Sequence, residues 1–576
     1  MIELMRDSRK LLSLADSRLL ACLCLLGLSL TTGIGTISVS AQQRRTAGST
    51  ARAGAGAQKE VPAELGEAAA LLQQGRLDEA EAGVRRFIAS APRNADAHTL
   101  LGVILDQRGQ AVEAEREYRE ALRLNPRGAA ALVNLGVLLA RTNRAEQAIE
   151  TFEAALRVAP THQQAIINLG ILYAGRGDFT RAIPLLEKAA GVSGAASAES
   201  VKDTRLLLML AGAYIRAGRA KDAARLADAI EAAAGDDPRV LFTLALSLAE
   251  ANEYARAVGL FERTNNLRPN TFEVLYNLGV ALYNLDRLDE AARAFETAAT
   301  LRPSEAEPFY RLGLIASARA QSENALGYWQ KALELRANFP EANFMIAEEL
   351  AKNQRNDKAI EFYERAIEQD ALNLLYRIRL GAAHFRRRRY AEAHEVYVRA
   401  AERFPKSAEV QYLIGYASRA LGLYDEALAA FQRARSIQPD NADVIANIGF
   451  IMGERGETVE AEKLLRRAIA LNPNNFPAHY DLGKLLVRLK RYDEAVVILE
   501  RGATMTKTDP GIHYQLFTAY SRLKRKSEAE RELAIFKRLE EARKGADGDA
   551  AAGTPDGQPP TETLPPPEVN TIPKRP

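Results

Sequence analysis

The histidines are the residues of this chain best suited to binding a metal ion or transferring a proton, and their spacing suits neither task. The sequence HEVYV starts at His394, but Val398 stands where a zinc-binding helix would carry its second histidine. His384 lies ten residues before His394, and His479 and His513 lie 34 residues apart. We therefore predict no metal site.

The sequence also offers few candidate residues for cysteine or serine chemistry. The two cysteines, Cys22 and Cys24, both stand in an apolar run near the N-terminus, and no cysteine follows them. A disulfide framework, a thiolate metal site or a cysteine nucleophile is therefore not available later in the chain. The sequence GVSGA, from Gly191 to Ala195, lacks the final glycine of a nucleophile elbow. We predict a protein that is not an enzyme and that binds no cofactor.

The charge balance gives no support for nucleic acid as a partner. Charged residues make up 26% of the 576 residues, but 77 Lys+Arg and 74 Asp+Glu leave a formal net charge of +3. So small a net charge gives no electrostatic reason to expect nucleic acid binding. Basic residues cluster locally in FRRRRY, from Phe385 to Tyr390, where a solvated turn and contact with an anionic partner both remain open.

Residues 1–41 predict export from the cytoplasm. Basic residues precede an apolar run, and the small residues Val39 and Ala41 are spaced as a secretory peptidase requires. We expect a signal peptide cleaved after Ala41. An uncleaved signal anchor is the alternative, because residues 19–39 are enough to span a bilayer. We expect a periplasmic or cell-envelope protein, or one held at the inner membrane by residues 19–39.

Most of the remaining sequence is periodic. The run YNLGVALYNLDRLDEAARAFETAATLRP starts at Tyr276, and YDLGKLLVRLKRYDEAVVILERGAT starts at Tyr480, six times 34 residues later. Leu275, Leu278 and Leu282 recur at the spacing of an amphipathic helix. A second helical stripe follows the interruption at residues 286–287 and ends at Pro303, because proline breaks the helical hydrogen-bond ladder. Each 34-residue unit is therefore predicted to be a pair of helices.

Two positions of the unit keep small side chains. The first is alanine in all fourteen units: Ala80, Ala114, Ala148, Ala182, Ala223, Ala257, Ala291, Ala325, Ala359, Ala393, Ala427, Ala461, Ala495 and Ala529. The second is glycine or alanine in thirteen units, as at Gly279, and is Phe517 in the last. A glycine inside a helix costs about 1 kcal/mol relative to alanine. We infer that the helices approach too closely at this position for a larger side chain.

The period and these residues resemble the tetratricopeptide repeat family, over Val61 to about Arg543. The resemblance implies an all-α fold, an α-solenoid of helix-turn-helix units in a right-handed superhelix whose first helices line a concave groove. It also implies that protein or peptide partners bind in that groove.

Domain boundaries follow from the repeat and from composition. Residues 42–60 are predicted to be a flexible linker, residues 61–190 units 1–4, and residues 204–543 units 5–14. Residues 191–203 add seven residues to one interval and read as a loop or a hinge. Residues 544–576 are Pro-rich and predicted to be disordered.

The resemblance implies that the repeat positions equivalent to Tyr276, Asn277, Val280 and Tyr283 face the groove. We call each of these positions the place of the named residue, and aromatic and asparagine side chains occupy several of them. The predicted partner-binding residues are Phe242, Tyr276, Asn277, Tyr283, Tyr310, Phe344, Tyr412, Tyr416, Asn447 and Phe450. Aromatic rings supply a large contact area at a low cost in entropy. The same rings could instead pack against neighbouring helices, and the sequence leaves both interpretations open.

The sequence thus predicts a non-enzymatic scaffold or adaptor of the cell envelope. Some family members bind a chaperone carboxylate through a lysine at the Tyr276 place and an asparagine at the Val280 place, and no unit here has either residue there. The alternative is a structural component of polysaccharide export or envelope assembly machinery. Membrane association through an uncleaved N-terminal segment is possible, and the sequence does not give the oligomeric state.

Overall fold

The computed structural model describes residues 62–192, 203–506 and 508–550, with side chains described up to residue 542. Within these residues every regular element is an α-helix, and the 28 helices form fourteen consecutive pairs. The chain is an all-α solenoid of helix-turn-helix units. It divides into two compact units, Met1–Arg302 and Pro303–Pro576.

The first unit holds seven described pairs. Their helices are α1 Ala63–Gln73, α2 Leu77–Ser90, α3 Ala95–Gln107, α4 Ala111–Leu124, α5 Ala129–Arg141, α6 Ala145–Val158, α7 Gln163–Gly175, α8 Phe179–Ala190, α9 Thr204–Arg216, α10 Ala220–Ala234, α11 Pro238–Glu250, α12 Tyr254–Leu267, α13 Phe272–Asn284 and α14 Leu288–Leu301.

The second unit also holds seven described pairs. Their helices are α15 Ala306–Ala318, α16 Ser322–Leu335, α17 Pro340–Lys352, α18 Asn356–Gln369, α19 Leu374–Arg386, α20 Tyr390–Arg403, α21 Ala408–Ala420, α22 Tyr424–Ile437, α23 Ala442–Glu454, α24 Thr458–Leu471, α25 Phe476–Arg488, α26 Tyr492–Ala503, α27 Pro510–Arg522 and α28 Lys526–Ala550. Odd-numbered helices are the first helix of a pair and even-numbered helices the second.

The turn inside each pair depends on one residue in the left-handed region of backbone space. In the pair of α13 and α14 this residue is Asp286, with φ of 63°, and in the pair of α15 and α16 it is Ala320, with φ of 58°. Glycine fills the same place in several pairs, as at Gly109 with φ of 77°. A left-handed residue ends the first helix and redirects the chain, so the second helix starts within three residues.

The close approach predicted at Gly279 is confirmed, and the structure identifies what fills the space. A Cβ atom on Gly279 would lie 2.8 Å from Cε1 of Phe295, a ring of the paired second helix. Gly136 stands in the same relation to Phe152, at 2.7 Å. The small position therefore accommodates a large side chain from the same pair.

The last helix corrects one predicted boundary. Helix α28 runs to Ala550, so residues 544–550 are helical rather than part of a disordered tail. The helix continues through Gly545 and Gly548, which disfavour helix, and no proline occurs before Pro555. Residues 1–61, most of the insert at 191–203 and the tail from residue 551 lie outside the described residues. No helix of the described residues is long and apolar enough to span a membrane.

Candidate first-helix interaction site

The predicted partner-binding residues all lie on first helices, and most are packed more tightly than an open groove requires. Phe242 and Tyr276 are half-buried, and their rings lie 5.9 Å from Phe261 and 5.6 Å from Phe295, on the paired second helices. These ring pairs repeat in the second unit, where Tyr412 lies 5.8 Å from Phe431. Aromatic residues at the Tyr276 place therefore pack within their own pair.

Two predicted residues of the first unit take part in internal contacts. Tyr283 is buried. The side-chain amide of Asn277 donates to the carbonyl oxygen of Glu273 at 2.7 Å, one turn earlier in α13. That bond uses part of the hydrogen-bonding capacity that would otherwise meet a peptide backbone. Partner binding by these residues stays a prediction.

The predicted residues on α15 and α17 also pack against other aromatic rings. The Tyr310 ring lies 4.9 Å from Phe339, and the fully buried Phe344 ring lies 4.7 Å from Tyr376 and 5.8 Å from Tyr363. In the protein without a partner, Phe344 offers no surface for binding. Packing is its observed role.

Helices α21 and α23 carry four of the predicted residues, and α19 contributes a ring that contacts one of them. The Tyr416 ring lies 5.8 Å from that of Tyr412 and 5.4 Å from that of Phe385. Asn447 and Phe450 stand on the next first helix, α23, and both are buried. The first helices of three successive pairs thus contribute to one continuous region of packed side chains.

Arg419, which was not predicted, connects these side chains. Its guanidinium carbon lies 3.6 Å from the centroid of the Phe450 ring, and Nη1 donates to Oδ1 of Asn447 at 2.7 Å. The Asn447 amide donates in turn to the carbonyl oxygen of Asp443 at 2.9 Å. Arg419 is only 9% exposed. We call Tyr416, Arg419, Asn447, Phe450 and Lys484 the Arg419 cluster.

Lys484 places a second cation beside the same ring. Its Nζ lies 5.9 Å from the Phe450 centroid and 3.9 Å from a carboxylate oxygen of Glu454. Arg488 lies 3.7 Å from Glu454 and donates to the carbonyl oxygen of Gly453 at 2.6 Å. Lys484 is half-buried, so it can reach both the cluster and solvent.

Two aspartates, Asp443 and Asp481, act electrostatically on Tyr416 of the cluster. Asp443 accepts a hydrogen bond from the side-chain amide of Asn475 at 2.7 Å, and Asp481 is buried. Burial raises the pKa of Tyr416; the charge of Arg419 opposes this rise, while Asp481 and Asp443 add to it. Tyr416 therefore remains a neutral hydroxyl that can donate or accept a hydrogen bond.

The residues that sequence reasoning missed stand at positions it had already singled out. Arg419 occupies the place of Tyr283 in its unit, Lys484 the place of Val280, and Asp481 the place of Asn277. Only aromatic residues and asparagines at those places were predicted to bind a partner. Charged residues at the same places are the signal that identifies all three.

Four of the six histidines, His98, His394, His479 and His513, have hydrogen-bond or carboxylate partners within the fold. His98 lies 2.6 Å from a carboxylate oxygen of Glu117, and His513 lies 2.6 Å from Glu532. His479 bonds a backbone oxygen in its own helix. Among the described residues no group of three or more His, Cys, Asp or Glu side chains could hold a metal ion.

The basic turn after α19 is partly neutralised within the fold. Arg387 and Arg389 lie 3.1 Å and 3.0 Å from the carboxylate oxygens of Asp357, on α18. Arg388 holds the left-handed position of the turn, with φ of 58°. Internal ion pairing thus accounts for two of the four arginines, which favours the solvated-turn interpretation.

Models of the tetratricopeptide repeat family match residues 65–126, 127–195, 173–245, 310–373, 378–442 and 454–505. The chain belongs to the tetratricopeptide repeat family. A model described as anaphase-promoting complex, cyclosome, subunit 3 matches residues 216–298. The fold of this family is typically a non-catalytic scaffold for protein interactions, and the matches indicate no catalytic domain.

Solved structures resemble parts of this tetratricopeptide repeat chain at low identity. The C-terminal part of a repeat-containing protein from Cytophaga hutchinsonii is 19% identical and covers 42% of this chain and 99% of its own, with a TM-score of 0.38. YrrB, described as having an unusual peptide-binding site, is 20% identical and covers 32% of this chain and 95% of its own, with a TM-score of 0.29. Yeast Tom70 is 17% identical and covers 80% and 99%, with a TM-score of 0.30. These scores are too low to carry an argument about function. No curated protein matches the chain.

Proposed function

We propose that this tetratricopeptide repeat protein is a non-catalytic scaffold that holds a segment of a partner protein against the first helices α21, α23 and α25. The observation that carries the proposal is the Arg419 cluster, which joins aromatic, amide and cationic groups from three successive first helices. Aromatic and arginine side chains dominate the binding energy of protein interfaces. Tyr412 and Lys484 at its edge are half-buried and accessible to a partner.

Site-specific photocrosslinking in the source cell tests this proposal. A photoreactive phenylalanine analogue would replace Tyr412, beside the cluster, or Val459, which is 82% exposed on the second helix α24. We expect a discrete crosslinked protein from position 412 and none from position 459. Lys484→Gln should weaken the crosslink from position 412 without changing the helical content. Equal crosslinking at both positions, or none at 412, would contradict the proposed site.

We also propose that the protein works in the cell envelope after export. The support is the composition and spacing of residues 1–41, which lie outside the described residues. N-terminal sequencing of the mature protein tests the proposal, and a start at Gln42 is expected if the segment is a cleaved signal peptide. Recovery of the whole chain, Met1 included, in the membrane fraction would favour the signal anchor instead. Recovery in the cytoplasm would exclude both.

The polysaccharide alternative stays a separate proposal with its own test. No contact among the described residues favours a sugar polymer over a polypeptide. Retention of the purified protein on immobilised envelope polysaccharide, together with loss of the crosslink at position 412, would favour the alternative.

A further inference from the structure

Arg419 carries a buried positive charge that the fold does not match with a carboxylate at ion-pairing distance. It is 9% exposed, and its contacts with described residues are the Asn447 hydrogen bond at 2.7 Å and the Phe450 ring at 3.6 Å. No ion pair between described residues includes it. A buried charge without a counter-ion is costly, because the lost hydration is not replaced by an attraction of comparable strength.

A second buried arginine of the compact unit Pro303–Pro576 lies close to a carboxylate. Arg379 on α19 is also 9% exposed, and its Nε lies 3.6 Å from a carboxylate oxygen of Glu348. Arg336, the residue directly after α16, pairs with Glu307 on α15. Arg379 and Arg336 therefore each have a carboxylate partner, which Arg419 lacks among the described residues.

We propose that Arg419 receives the carboxylate of an aspartate or glutamate side chain in the partner segment. This inference rests on the proposed function and names the chemistry of the partner. A guanidinium has five N–H donors in a planar fork that matches the two oxygens of a carboxylate. Phe450 and Asn447 hold the plane of this fork in place, so little side-chain entropy remains to be lost on binding.

Lys484 gives the site a second attraction for the same group. Its Nζ lies 5.9 Å from the centroid of the Phe450 ring, which Arg419 also contacts, and 3.9 Å from a carboxylate oxygen of Glu454. Asp443 and Asp481 are the acidic groups that oppose an incoming carboxylate from α23 and α25. Asp443 accepts a hydrogen bond from Asn475, and Asp481 is the buried negative charge whose removal is tested below.

The proposed site differs from the chaperone clamp excluded above. That clamp needs a lysine at the Tyr276 place and an asparagine at the Val280 place of one unit, whereas here the cations stand at the Tyr283 and Val280 places of different units. The proposed ligand is an internal side chain, so it needs no free C-terminus.

Binding of two matched peptides to the full-length protein tests the inference. One short peptide alternates alanine and glutamate, the other alternates alanine and glutamine, and both are acetylated and amidated so that their termini are uncharged. We expect the glutamate peptide to bind more tightly, with a preference that falls as salt is added. Arg419→Gln should lower its affinity at least tenfold and leave affinity for the glutamine peptide unchanged.

Three further variants separate the charge effect from loss of structure. Arg419→Lys keeps the charge but not the fork, so we expect an intermediate affinity. Asp481→Asn removes the opposing charge and should tighten binding of the glutamate peptide. Arg365→Gln is the matched control, because Arg365 lies 4.8 Å over the Phe362 ring on the second helix α18, away from the cluster. Circular dichroism and thermal unfolding check that each variant folds.

Each result bears on the inference in one direction. Loss of the glutamate preference in Arg419→Gln, with the preference intact in Arg365→Gln, supports it. Equal binding of the two peptides, binding of neither, or a preference that survives Arg419→Gln overturns it. The crosslinking experiment at position 412 reports separately on the proposed function, so a scaffold with a non-acidic partner would pass that test and fail this one.

Discussion

The ring of Phe295 occupies the space that a side chain on Gly279 would need, with Cε1 only 2.8 Å from the position of a Cβ atom. Both residues belong to the pair of α13 and α14, and Phe295 is fully buried. A glycine that weakens an isolated helix is therefore required for the pair to close. The same relation links Gly136 with Phe152.

Gly279→Ala should destabilise the protein, although alanine favours the helix. The added methyl group overpacks the contact by about 1–3 kcal/mol, against a helix gain of about 1 kcal/mol, so we expect a net loss of up to about 2 kcal/mol. Urea unfolding followed by circular dichroism measures the change. Gly259→Ala on α12 is the control, because nothing lies within 4 Å of its added Cβ atom, and it should be stabilising. Equal effects of the two substitutions would contradict this account of the glycine.

Trp329 should report on the interior of the second unit. It is fully buried, and its Nε1 donates to the carbonyl oxygen of Tyr310 at 3.1 Å. As the single tryptophan it should emit at a shorter wavelength than free tryptophan and resist quenching by acrylamide. Denaturant should abolish both properties. Emission of a solvated indole from the native protein would place the ring outside the pair.

Ala320→Gly should stabilise the turn between α15 and α16. Alanine pays a steric cost of about 1–2 kcal/mol in the left-handed region, and glycine does not. Because glycine also gains freedom in the unfolded chain, we expect a net stabilisation below about 1 kcal/mol. Thermal unfolding measures it. Ala318→Gly, within α15, should instead lower the melting temperature, and a loss at both positions would show that the backbone at residue 320 is not strained.

Acidification should destabilise the region around His384. Burial lowers the pKa of His384 below its ordinary value of 6.5, with Arg389 adding to this effect and Glu392 opposing it. The unfolded chain therefore binds a proton that the folded chain resists, and this contribution to stability is present above pH 6.5 and lost as the pH falls below it. His384→Gln should flatten the dependence of the melting temperature on pH between about 5 and 7. An unchanged slope would show that other groups cause it.

The sequence alone determined the repeat architecture. Leu275, Leu278 and Leu282 set the stripe of the first helix, Pro303 set the end of the second helix, and the 34-residue period fixed the number of pairs. These features are local or periodic, so the same pattern occurs once in each of the fourteen helix pairs. The end of α28 was predicted less well, because the helix continues through Gly545 and Gly548, residues that disfavour helix.

The sequence could name candidate positions on the first helices but not the state of each side chain. Tyr276, Phe344 and Tyr412 share one place in the repeat, yet Phe344 is fully buried while the other two are half-buried. Exposure depends on the neighbouring units, through contacts such as that between Phe344 and Tyr376. Aromatic identity by itself therefore did not distinguish packing from binding.

What only the tertiary structure decided is which charges meet. Arg419 and Phe450 are 31 residues apart, on α21 and α23, and their contact depends on how one pair stacks on the next. A periodic sequence specifies that pairs stack, because every unit must bury the same apolar stripe. It does not specify which polar side chains the stacking brings together, because these differ from unit to unit and their energies depend on distance and burial.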